Sequence, residues 1–315
     1  MVDVIVLTYN QEQWIRQTLD SILSQKTNYP FEVIIGEDWG TDGTRAICED
    51  YAARVDNVRL APSDHNLGVV GNWINCIRHG KGKYIMTCAG DDYWHSSEKI
   101  QLQIDFMESH PECVICHTDY DELNVKTNIK HININKTGRK TPPPEGRIQQ
   151  AILNGDAPIA AVTACIRRDA FEQHIPADKF IELQFPREDW PTQLILSAYG
   201  DIQYLPVSTA TYRIGHESIS NSLNYDTIRR RNKLDMVMLE YLYSLFPEWG
   251  QFHENDWFDH SVYNALLNAA YQNNDFPSAK EFARKNLLFN RRLATLCARN
   301  LLTFKIYRLY HLLKK

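Results

Sequence analysis

The chain has 315 residues, 43% of them hydrophobic and 23% charged, with a net charge of −5 at neutral pH; this is the composition of an ordinary globular protein of about two domains. The acidic balance argues against nucleic acid as a partner. No stretch approaches the roughly 18 uninterrupted apolar residues of a membrane span, and the apolar run that begins at Val2 leaves no room for a charged leader, so a cytoplasmic location is expected.

In chain order, "VDVIVLT" reads as a buried strand and "NQEQWIRQTLDSILSQ" as a helix, with Ile15, Leu19, Ile22 and Leu23 at helical spacing and Asn10 with Gln13 as a capping box. The cycle repeats. "FEVIIGE" predicts a second strand, 44–55 a second helix, "NVRLA" a third strand, 69–79 a third helix and "KYIMTCA" a fourth strand. A fourth helix over 97–109 and the strand "CVICHTD" follow. Cys113 and Cys116 in that strand lack a second pair to complete a zinc site, and the seven scattered cysteines fit free thiols in a reducing compartment.

Residues 124–146 turn polar and carry a proline triplet, which predicts a loop. "AAVTACIRR" predicts a further strand, "DWPTQLILSAYG" a helix, and everything beyond about Asp226 is helical. Strands alternating with helices predict an α/β fold with a doubly wound, mostly parallel sheet, in which ligands bind outside the carboxyl ends of the strands. Polar residues gather at those ends: Thr8, Tyr9 and Asn10; Glu37 and Asp38; Asn66 and Gly68; Asp91 and Asp92; His117 and Asp119.

Asp91 and Asp92 pose the sharpest question, because adjacent carboxylates repel unless something compensates them. A divalent ion of the Mg2+ or Mn2+ type, bound by one or two carboxylates together with substrate phosphates, would do so. The alternative is that the pair caps the helix that follows. Neither a dinucleotide fingerprint nor a P-loop follows the first strand, so a phosphate-bearing ligand here would rely on carboxylates and a metal.

"VIVLTYNQEQWIRQTLDSILSQ", "EVIIGEDWGTDGT", "NLGVVGN", "GKYIMTCAGDDYW" and "PREDW", in this order and spacing, closely resemble the inverting family 2 glycosyltransferases of GT-A fold over about residues 1–220. The resemblance implies a catalytic domain over 1–224, followed by a helical region over 225–315. It implies that Thr8, Tyr9 and Asn10 contact the donor nucleotide, that Asp38, beside Glu37, reads a nucleobase edge that is usually uracil, and that Asn66 and Gly68 lie near ribose and pyrophosphate. Asp91 would face the ribose or sugar and Asp92 the metal, Mn2+ or Mg2+. Gly90 stands where many members carry a further aspartate. Asp189, with Glu188 beside it, matches the catalytic base, and Arg213 and His216 fall where many relatives have a loop over the diphosphate, His216 being a second candidate metal ligand. Helix capping is the alternative for Glu188 and Asp189.

Trp94 and Trp190 sit beside acidic motifs and are candidates for acceptor stacking. The implied partners are a nucleotide-sugar donor, most often a UDP-sugar, and a glycan or lipid-linked acceptor. A nucleotide-binding scaffold without turnover and a sugar nucleotidyltransferase are the competing readings. After Glu281 the chain has no acidic residue and nine basic ones, so its last segment suits an anionic membrane surface. The helical region thus has three candidate roles: acceptor platform, subunit interface of a homo-oligomer, or membrane-surface element.

Overall fold

The structure is a computed structural model and describes residues 1–138, 141–216, 222–250, 252, 254–286, 294, 297, 298 and 300–314, with side chains 254–261, 286 and 310–314 left aside. The chain divides into two compact units, one of residues 1–182 and 187–215, the other of residues 183–186 and 216–315.

The first unit opens with β1 (Val2–Thr8), α1 (Ile15–Leu23), β2 (Phe31–Glu37), α2 (Thr44–Arg54), β3 (Val58–Leu60), α3 (Gly68–His79) and β4 (Tyr84–Ala89). Then come β5 (Tyr93–Trp94), α4 (Lys99–Ser109), β6 (Cys113–Asn124), β7 (Ile129–His131), α5 (Ile134–Thr137) and α6 (Gln149–Leu153). It closes with β8 (Ala164–Arg167), α7 (Arg168–His174), α8 (Ala177–Glu182), α9 (Asp189–Leu196) and β9 (Asp201–Ile214). The sheet runs β3-β2-β1-β4-β8-β6-β9-β5, with β7 on β6. Strands β1 to β4 are mutually parallel, β8 is antiparallel to both its neighbours, and β9 runs parallel to β6. The expected mostly parallel α/β sheet is therefore present.

Period-two alternation sets its two faces. Val2, Val4 and Val6 of β1 pack with Ile15, Leu19 and Ile22 of α1, with Ile47 and Tyr51 of α2 and with Ile100, Ile104 and Met107 of α4. On the other face Asp3 is fully buried and pairs with Arg168 at 2.6 Å, while the Gly82 N–H donates to the same carboxylate oxygen at 2.8 Å. That ion pair ties β1 to α7 and was not foreseen from sequence.

Two sequence expectations need correction. Asn10 and Gln13 form no capping box: α1 begins at Ile15, Asn10 lies in the left-handed region with φ +53°, and its Oδ1 accepts from the Thr41 N–H at 2.6 Å. Strand β6 does not stop at Asp119 but runs on to Asn124, burying His117 and Asp119 within the sheet. There Asp119 accepts from the N–H groups of Asn135 (2.8 Å) and Lys136 (3.1 Å), fastening the polar excursion onto the strand.

The second unit is helical, with α10 (Tyr225–Leu245), α11 (Glu254–Gln272), α12 (Phe276–Asn286) and a further helix, Leu301–Lys314. Its own core joins Ile228, Leu266, Leu267, Phe282 and Phe304. Asn224 caps α10, its side-chain oxygen accepting from the N–H groups of Asp226 and Thr227 at 3.0 Å each.

Candidate functional site

Parallel pairing of β1, β2 and β4 brings their carboxyl ends to one edge of the sheet. There the loops interlock. The Asp38 N–H donates to Thr8 O at 3.0 Å, the Gly90 N–H donates to Leu7 O at 2.7 Å, and Asn66 Nδ2 donates to Asp38 O at 2.6 Å. The Leu67 N–H donates to Asp38 Oδ1 at 2.7 Å, and among the described residues no hydrogen bond is made to Oδ2. Gly68, at φ +72°, turns the chain into α3 in a conformation that glycine adopts freely.

Gly90, Asp91 and Asp92 form a tight turn between β4 and β5. It is gripped from several sides. The buried Thr18 hydroxyl lies 2.9 Å from Gly90 O and 2.6 Å from Asp92 O, and the Arg213 N–H donates to Asp92 Oδ1 at 2.8 Å. The Arg213 guanidinium donates to Asp91 O and to Gln17 Oε1, held between the rings of Trp14 and Tyr93, each 4.6 Å away. Helix α4 starts only at Lys99, so the pair caps no helix. Asp92 is 2% exposed, whereas Asp91 is half-buried. Burial, and then the charge of Asp91, push the Asp92 carboxyl well above the usual carboxylate range.

That mutual repulsion is what a cation would relieve. The donor set, two carboxylates of which one stays accessible, fits a hard divalent ion that completes its coordination with phosphate oxygens. Among the described residues no group of three or more acidic, histidine or cysteine side chains could hold a metal without such help.

Glu188 and Asp189 stand at the start of α9. Neither caps it by side chain from the N-cap position: Asp189 Oδ1 accepts only from the adjacent Trp190 N–H, at 2.7 Å. Both border a small cavity of about 20 Å³ whose other walls include Trp73, Ala161, Ala164 and Ile166. Enclosure by such walls pushes both carboxyls up, Glu188 to about 8 with the Asp189 charge adding to it.

Several sequence candidates lie elsewhere than expected. Trp94 is 2% exposed and belongs to the core, with Lys99 Nζ 5.2 Å above its ring, so it offers no face to an acceptor. Thr8 and Glu37 are buried: a Cβ at Gly90 would sit 2.6 Å from Thr8 Oγ1, and Glu37 accepts from the Gly40 N–H at 2.7 Å and pairs with Arg45 at 3.2 Å. Arg213 is a buried clamp on the Asp91–Asp92 turn, not an open phosphate ligand. Tyr9, Asn10, Asn66 and Gly68 do reach the surface, and Trp190 is half-buried. His216 belongs to the second unit. A broad concavity of about 710 Å³ between the starts of α1 and α2, lined by Asn10, Glu12, Arg16 and Asp42, contains none of Asp38, Asp91 or Asp189.

Tyr212 escaped the sequence reading. Burial first, then the charges of Asp92 and Asp91, push its phenol up to about 12. Its ring meets Tyr120 edge-on at 6.4 Å. The signal available was strand alternation: beside Arg213, whose side chain turns toward α1, the preceding residue of the strand must face the other way.

A sheet of this order with carboxylates collected at its carboxyl edge is the GT-A type of fold. Residues 3–175, more than half of the chain, match the profile of Glycosyl transferase family 2, and the chain belongs to that family. An uncharacterized protein of Mycobacterium tuberculosis is 37% identical over 116 residues, 36% of this chain and 34% of that protein. The chain thus spans about a third of the length of such relatives. The fold is shared with a Pyrobaculum calidifontis mannosyltransferase solved with GDP-Man and Mn2+, at TM-score 0.53, 16% identity and coverage of 98% and 87% of the two chains. It is shared also with S. aureus TarS solved with UDP-GlcNAc, at TM-score 0.50, 18% identity and coverage of 98% and 89%.

Proposed function

We propose that this chain is an inverting glycosyltransferase that moves a hexosyl or N-acetylhexosaminyl group from a UDP-sugar to a hydroxyl of a glycan or lipid-linked acceptor. The Gly90–Asp92 turn is the observation that carries the reading. It keeps two carboxylates together at the ligand edge of the sheet, and the Asp92 carboxyl stays raised there although the Arg213 N–H donates to it. Asp38 supports uridine as the base. With Oδ1 taken by the Leu67 N–H, one free oxygen suits the single imino N–H of uracil better than the two adjacent donors of guanine.

In the reaction Asp189 takes the proton of the acceptor hydroxyl while that oxygen attacks the anomeric carbon from the face opposite the diphosphate. The new glycosidic bond forms as the bond to the diphosphate breaks, and configuration inverts. A positioned base of this kind contributes roughly 10²–10⁴-fold. Mn2+ or Mg2+ held by Asp91 and Asp92 would supply Lewis-acid stabilisation of the departing diphosphate. Asp189, not Glu188, is assigned the role because it is the residue that matches the family's base in the "PREDW" segment. A cytoplasmic enzyme working at the membrane surface fits the second unit, where Leu302, Ile306 and Leu309 are exposed along one side of Leu301–Lys314 beside Lys305.

The test is calorimetric titration of UDP, with and without Mn2+, into the wild type, Asp91→Ala and Asp92→Asn. Metal-dependent binding that both substitutions weaken supports the reading. Equal binding in all conditions would remove the metal and the turn from it.

A further inference from the structure

We propose that Trp39 is a stacking face for the nucleobase of the donor, placed opposite Tyr9 around the edge that Asp38 reads. The inference rests on the nucleotide-sugar reading above and adds a specificity residue to it.

Trp39 follows Asp38 at the carboxyl end of β2 and has φ +61°. Only glycine enters that region without steric penalty, and a bulky aromatic there is uncommon. Core packing does not account for it, because Trp39 is 42% exposed and belongs to no hydrophobic cluster among the described residues. The ring is nonetheless fixed. Its Nε1–H donates to Ser63 Oγ at 3.2 Å, and the Arg45 guanidinium lies over it, 4.5 Å from the centroid. Arg45 is itself tied to Glu37 Oε2 at 3.2 Å and Glu49 Oε1 at 3.0 Å. The chain thus accepts a strained backbone to hold an aromatic plane rigid and accessible, which is the pattern expected of a ligand contact rather than of a packing residue.

The neighbourhood says which ligand. Thr8 and Glu37 are paired across the β1–β2 ladder, so the residues that follow them, Tyr9 and Asp38, emerge side by side. Tyr9 is 47% exposed. The loop carrying Ser63 also carries Asn66 and Leu67, which hold the backbone and the carboxylate of Asp38. A carboxylate flanked by two exposed aromatic residues suits a flat heterocycle that has an N–H on its edge. Arg45 covers one face of Trp39 and leaves the other to the base.

The experiment compares UDP and inorganic pyrophosphate, both with Mn2+, as calorimetric ligands for the wild type, Trp39→Gly, Trp39→Phe and Asp91→Ala. Glycine suits the left-handed backbone, so Trp39→Gly is expected to melt no lower than the wild type. It should weaken UDP binding roughly 5- to 100-fold, the range for losing one stacked base, while pyrophosphate binding is unchanged. Trp39→Phe should keep most of the affinity. If Trp39→Gly binds UDP as the wild type does while Asp91→Ala loses it, the stacking role is refuted and the donor reading stands. An equal loss of pyrophosphate in Trp39→Gly would also refute it, by assigning the effect to loop collapse. A wild type that binds no UDP would overturn both.

Discussion

Gly90 opens the Asp91–Asp92 turn, and the structure gives a steric reason for a glycine there. A Cβ at this position would lie 2.5 Å from Gln11 Oε1, 2.6 Å from Thr8 Oγ1 and 2.8 Å from Thr8 Cβ. The Gln11 side chain can swing away. Thr8 cannot, since it is 3% exposed and its backbone is in the β1 ladder. Gly90→Ala should therefore show the overpacking penalty of about 1–3 kcal/mol. At about 2–4 °C per kcal/mol for a unit of this size, the melting temperature should fall by roughly 3–10 °C. Gly90→Asp should fall further, because a third carboxylate joins two whose mutual repulsion already raises the Asp92 pKa. The extra loss should be larger at pH 8, where the new group is ionised, than at pH 4. The added carboxylate of Gly90→Asp is accordingly expected to weaken, not strengthen, Mn2+-dependent UDP binding. Differential scanning fluorimetry of both variants, with and without UDP and Mn2+, decides the matter. An unchanged melting temperature for Gly90→Ala would refute the steric explanation.

Lys99 is fully buried, donating to Gln103 Oε1 and to Thr163 O at 3.0 Å, and burial pulls its pKa down to about 8 from 10.5. Below pH 8 both folded and unfolded chains carry the charge and the fold bears a penalty of about 3 kcal/mol, which disappears as pH rises to about 10.5. Lys99→Met should thus gain stability over the wild type at pH 7 and lose about that much of its advantage by pH 10.5; a difference constant in pH, from urea melts, would contradict this. Glu188, raised to about 8, keeps in the fold a proton that the unfolded chain releases near 4.5, so stability should fall as pH rises between those values. Glu188→Gln should flatten that slope while retaining turnover, whereas Asp189→Asn should lose roughly 10²–10⁴-fold in kcat; the opposite ranking in a UDP-release assay would exchange their roles. Replacing the exposed Leu302, Ile306 and Leu309 by Glu should abolish sedimentation with anionic vesicles without changing helical content, because the side of that helix facing its own core is carried by Phe304, which is fully buried. Undiminished sedimentation would remove the membrane role.

The parallel half of the fold was legible because each of its elements is local. The runs at 2–8, 31–37 and 84–89 are apolar on both faces, as strands covered on both sides must be, and the helices between them have helical spacing. The antiparallel part was not. Strand β8 inserts between β4 and β6, and β9 returns to pair with β6, through contacts that separate residues by tens of positions and leave no local period. The site divided in the same way. Strand ends at Asp38 and Asp91 could be read from the pattern and Asp189 from the family resemblance, but whether a side chain is presented or buried depends on what arrives from elsewhere. Trp94 is covered because β5 pairs with β9, and Arg213 turns inward because Trp14 and Tyr93 close around it.

The handling of charge around the turn explains why two aspartates can be kept there. Arg213 is seated against the pair, and its guanidinium donates to the carbonyl of Asp91. A guanidinium forked onto the carboxylates would have neutralised them and filled the place of any incoming ion. By gripping the backbone, Arg213 fixes the turn while only its N–H reaches Asp92, which leaves that carboxyl raised and Asp91 half-exposed. On the proposed reading, the raised Asp92 carboxyl is a cost of the ligand-free fold that a bound cation would relieve. A cation and diphosphate that bind only the folded state then stabilise the first unit in proportion to their affinity. Repulsion retained in this way would favour a ligand that brings positive charge with it, as the proposed metal–diphosphate would.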